Sequence, residues 1–73
     1  MKDLYFVYKE KNIPKRVAKK IDSIWYGFEK DKWVKMPQLA KIEWEDTDYK
    51  EISKVEAEKL INWQKANWDK VVR

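Results

Sequence analysis

Apolar positions follow two different rhythms along the chain. Residues 4–8 form a continuous apolar, aromatic and β-branched run, the pattern of a strand buried on both faces. Further on, Val17, Lys19 and Ile21 alternate with Arg16, Ala18 and Lys20, and Ile24, Tyr26 and Phe28 alternate with Trp25, Gly27 and Glu29. A period of two predicts two more strands, and Pro14 suits the start of the first, where a missing N–H is tolerated. Residues 10–12, Asp22-Ser23 and Lys30-Asp31 read as the turns between them. A two-residue loop at Lys30-Asp31 pairs Glu29 with Lys32 and Phe28 with Trp33. One pair is ionic and the other aromatic, so that register supports itself. Beyond Pro37, residues 39–44 read as another short strand with Ala40, Ile42 and Trp44 on one face.

The rhythm changes near residue 53. Ser53 followed by Glu56 is a capping box, with Ile52 and Ala57 at the two positions of a hydrophobic staple. Ala57, Leu60, Ile61, Trp68 and Val71 then share one stripe, with Gln64 beside them, which predicts a helix over about residues 54–70. Trp63 lies roughly 100–120° from the centre of that stripe at 100° per residue. Strands come first and the helix last, in a chain too short for crossover helices. The expected class is α+β: an antiparallel β-meander of four or five strands over about 3–44, free to curl toward an SH3-like half-barrel, then an acidic connection over 45–52 and a C-terminal helix on the sheet. Trp33, Trp44 and Trp68 are assigned to the core.

Composition sharpens this picture. Seventy-three residues allow one domain, 1–73. A mean hydropathy of −0.90 would suit a disordered chain, but five Trp, four Tyr and two Phe oppose it. Each buried ring removes roughly 150–250 Å² from water, a gross gain of about 4–6 kcal/mol. Ordering costs about 1.5 kcal/mol per residue, so most rings must be inside and only about two or three can serve a ligand. The chain has no His and no Cys. That excludes disulfides, thiolate chemistry, Ser-His pairs and the usual zinc ligands. A calcium loop begun at Asp46 fails, with Lys50, Glu51 and Ala57 where ligands or a glycine are required. Glu29 and Glu43, beside aromatics, are the only carboxylates suggestive of paired acid–base work, in a chain too small to build a cleft beside its core. The expectation is a protein without catalysis, cofactor or metal. The longest apolar runs fall far short of the ~20 residues of a membrane span, and the N-terminus lacks a signal-peptide pattern, so a cytoplasmic protein is expected.

Charge is what points to partners. The net charge of +4 divides into +6 over residues 1–41 and −2 over 42–73, with −4 concentrated in 43–51. Plain solvation would explain both regions. A protein partner is the leading functional reading, with Glu45, Asp46 and Asp48 meeting a basic surface and Trp63 as anchor, unless Trp63 packs on the sheet edge. Small size and fifteen Lys against two Arg suggest an accessory or inhibitory protein of phage or mobile-element origin acting on a host protein. The alternative is nucleic acid, with Lys19, Lys20, Lys30, Lys32 and Lys35 tracking phosphates around Trp25, which faces outward if Ile24, Tyr26 and Phe28 face inward. The strand order, sheet-borne Trp25 and Ser-capped terminal helix resemble the layout of the small Lys-rich archaeal chromatin proteins. That resemblance implies an SH3-like barrel and DNA binding through the Trp; a single glycine and the acidic stretch depart from it. A third reading is a structural protein that forms homodimers through a sheet edge or Trp63.

Overall fold

The computed structural model describes residues 3–44 and 48–72. Four strands follow one another as a meander: β1 (Leu4–Glu10), β2 (Ile13–Ile21), β3 (Ile24–Glu29) and β4 (Lys32–Lys35). A 3₁₀ turn (Pro37–Ala40) and α1 (Lys41–Trp44) come next, then β5 (Tyr49–Ile52), α2 (Lys54–Ala66) and α3 (Trp68–Val71). All strands are antiparallel in one sheet ordered β4-β3-β2-β1-β5. The class is α+β, as the strand and helix rhythms predict.

Two-residue loops join the first four strands, and the side chains choose their register. Phe28 stands opposite Trp33 with rings 5.4 Å apart at 75°, and Glu29 stands opposite Lys32. Lys11 and Asn12 both have positive φ (51° and 67°), as do Asp22 and Ser23 (52° and 69°). That is the twist a two-residue hairpin requires, here met without glycine. At the third tip the positive φ falls on Lys30 rather than on Asp31.

The sheet is covered on both faces. On one, α2 packs against β1 and β2 and encloses Val7, Val17, Phe28, Ala57 and Ile61. Ser53 caps this helix by accepting the Glu56 N–H at 3.1 Å, as the capping box predicts. The opposite face carries a second core of Ala18, Trp25, Met36 and Leu39, flanked by Phe6, Val34, Ala40, Ile42 and Tyr49. The connection from β4 to α1 forms its lid, held by the Met36 N–H donating to the Trp25 carbonyl at 2.9 Å.

This second core corrects several expectations. Residues 39–44 are not a strand: Pro37 opens a 3₁₀ turn that runs into α1. Leu39 and Ile42, three apart, point to the sheet together, a helical spacing that two alternating positions had concealed. Trp44 therefore falls outside the core and is 83% exposed. Trp25, expected to face solvent, lies under the lid at 4% exposure. The fifth strand sits within the stretch expected to be an acidic connection, where Tyr49, Lys50, Glu51 and Ile52 pair with Tyr8, Val7, Phe6 and Tyr5. The long helix stops at Ala66, because the Asn67 backbone leaves the helical region and its side-chain amide donates to the Trp63 carbonyl at 2.9 Å. Trp33, assigned to the core, packs against the helix-side core while half-buried, and Trp68 is half-buried rather than enclosed.

Candidate functional site

Because side chains alternate along each strand and align across strands, the two faces carry distinct rows. On the helix side one row runs Ile52, Tyr5, Lys19, Tyr26, Lys35 across all five strands. On the lid side the neighbouring rows hold Lys20 opposite Trp25 and Arg16 opposite Tyr8. The lysines expected to act together are thus divided. Lys19 and Lys35 lie on one face and Lys20 and Lys32 on the other, while Lys30 is exposed at a hairpin tip.

The two faces treat their cations differently. Lys20 forms an ion pair with Glu43 of α1, with its ammonium 5.8 Å from the Trp25 ring centre. It fastens the lid. Arg16 donates to the Phe28 carbonyl at 3.3 Å and lies 3.6 Å from Glu29, so it too ties strand to strand. Lys19 instead sits over aromatic faces, 4.2 Å from the Trp33 ring centre and 5.4 Å from that of Tyr26. Partial burial there lowers its pKa, against the opposing effect of Asp3. α2 lies on β1 and β2 and leaves Tyr26 and Trp33 half-exposed beside it.

The second surface begins where α1 ends. Trp44 is the most exposed large apolar side chain described, ahead of Val72 and Val55. It follows Glu43, and Asp48, just before β5, is exposed. Glu45 and Asp46, two of the expected partner contacts, lie outside the described residues. Trp63, the expected anchor, is half-buried on α2. Trp44 is the residue that strand periodicity hides. The available signal is its setting, since acids at 43, 45, 46 and 48 around a Trp make a poor core environment.

An open groove of about 640 Å³ lies beside β5, where Lys9, Lys11 and Lys50 interleave with Asp48, Glu51 and Glu56. Its charges cancel, so it selects neither anion nor cation. Among the described residues no group of three or more acidic side chains is arranged to hold a metal ion, and no helix is long and apolar enough to cross a membrane. No protein-family model matches the chain, and no curated protein or solved structure matches it.

Proposed function

We propose that this chain is a small protein-binding module that docks a basic partner through Trp44 and the acids around it. The exposure of Trp44 carries this reading. A folded chain of this size needs most of its rings inside, yet this one stands in solvent, and in the sequence it falls within a segment of net charge −4. Trp is the side chain most often found at the centre of binding energy, and flanking charge speeds encounter with a surface of opposite sign. An accessory or inhibitory role against a host protein fits a module of this kind, supported by small size and lysine bias.

The test separates binding from folding. Capture from bacterial lysate treated with nuclease is compared between the parent chain and Trp44→Ala. The substitution removes no packing, so thermal stability should change by less than ~0.5 kcal/mol, while a partner held by this surface is lost, a drop of tenfold or more for a residue worth about 2 kcal/mol. Equal capture by both chains would overturn the reading, as would no protein captured by the parent chain from the nuclease-treated lysate.

A further inference from the structure

A sheet face normally needs covering, and α2 covers only part of the one it occupies. It packs on β1 and β2, while β3 and β4 present Tyr26 and Trp33 half-exposed. Lys19 and Lys35 stand on either side of Tyr26 in the same cross-strand row, and the Lys19 ammonium overlies both rings. No carboxylate stands in that row, and the acid whose charge acts on Lys19 is Asp3, just before β1. Glu43 and Glu29, which neutralise Lys20 and Arg16, act on the lid face.

We propose that this shelf of Tyr26, Trp33, Lys19 and Lys35 binds single-stranded nucleic acid. Rings at the surface of a sheet offer stacking platforms that any unpaired base can use, and ammonium groups beside them follow the phosphates. A duplex hides its base faces and would meet the lysines alone, so the aromatic half of the shelf selects the single strand. The surface is separate from Trp44: the Glu43–Lys20 pair holds α1 on the other side of the sheet. Of the acids in the segment of net charge −4, Glu43 is paired with Lys20 on the lid side, and Glu51 stands opposite Phe6, which packs against the lid-side core. Trp25, which the chain pattern suggested as the stacking residue, is enclosed beneath that lid.

The probe is a fluorescein-labelled oligothymidylate of about fifteen nucleotides, followed by anisotropy with the full chain. Binding is expected in the micromolar range at ~50 mM salt. It should weaken roughly sevenfold by ~200 mM if the two lysines neutralise phosphates, at a slope of about 0.7 per contact. Lys19→Gln with Lys35→Gln should lower affinity tenfold or more, whereas Lys20→Gln should leave it within twofold. Trp33→Ala should also weaken binding, but the ring packs on Phe28, so Tyr26→Leu serves as a second ring variant. Each variant is checked for an unchanged circular dichroism spectrum. Three results would overturn the proposal: no binding at 50 μM protein (about ten times the expected range), equal losses in the Lys20 and Lys19/Lys35 variants, or a poly-glutamate peptide competing as well as unlabelled oligothymidylate. A duplex of equal length binding as tightly would also reject it, because the rings would then contribute nothing.

Discussion

At the scale of single residues, the exchange between Trp25 and Trp44 shows how a lid decides which ring is available. Gly27 makes that lid possible. A Cβ built there would lie 2.5 Å from the Met36 sulfur and 3.2 Å from the Arg16 guanidinium. The glycine is needed for close approach, since its φ is not in the left-handed region. Gly27→Val should therefore push Met36 off the sheet, destabilising the chain by about 1–3 kcal/mol. The check is a chemical denaturation midpoint together with a more solvent-exposed Trp25 in fluorescence quenching. Residue patterns made the hairpins readable: Phe28 against Trp33 and Glu29 against Lys32 are visible as pairs in the sequence alone. They did not reveal the lid. A three-residue spacing such as Leu39 to Ile42 and a two-residue spacing such as Ile42 to Trp44 coexist in so short a run, and only packing on Trp25 decides between them.

At the scale of elements, α2 is joined to the sheet by a polar contact inside an apolar seam. Gln64 is fully buried and donates to the Pro14 carbonyl at 2.8 Å, while its own side-chain oxygen has no partner. Proline supplies a carbonyl without an N–H, so the amide can satisfy only one of its two ends. Gln64→Glu tests this seam. A carboxylate would set an acceptor against an acceptor and should cost about 2–4 kcal/mol at neutral pH. Its protonated form can donate to Pro14, so the folded-state pKa rises above the unfolded value near 4.3. Stability should then be present below that unfolded value and be lost as pH rises through the folded one. Urea midpoints that do not vary with pH between about 4 and 8 would show that the seam opens to water. The helix itself was legible from its stripe and Ser53–Glu56 box, and its break was not, because Asn67 turns the chain through a local side-chain bond that periodicity does not register. β5 was hidden for a different reason. An edge strand with outward Lys50 and Glu51 has the composition of a loop.

At the scale of the whole molecule, the two tyrosines at the β1–β5 seam link pH to the integrity of the sheet. Tyr8 and Tyr49 stand opposite each other with rings 5.6 Å apart. Burial is the main cause that raises Tyr49, and the hydrogen bond to Glu10 is the main cause that raises Tyr8. A raised folded pKa on a tyrosine means that stability is complete below about 10 and declines as pH climbs past it. Alkaline denaturation should therefore be blunted in Tyr49→Phe, measured as the difference in urea midpoint between about pH 9 and pH 11. The partial burial of Lys19 acts in the opposite sense, since a lowered lysine pKa relieves its penalty as pH rises. Charge polarity along the chain was plain from the sequence. Its distribution over two faces was not, because adjacent residues such as Lys19 and Lys20 point to opposite sides of a strand.

The placement of β5 beside β1 also sets an order of events in time. Each meander strand meets its neighbour across two residues, whereas Tyr5 must find Ile52 from roughly 47 positions away. Closing a loop about twenty times longer than a hairpin's costs about 3 kcal/mol more in chain entropy. The three hairpins are therefore expected to form early and β5 with α2 late, with the β1–β5 contacts made after the folding barrier. A weakened β5 would then leave the rate of folding nearly unchanged and shorten the lifetime of the folded state.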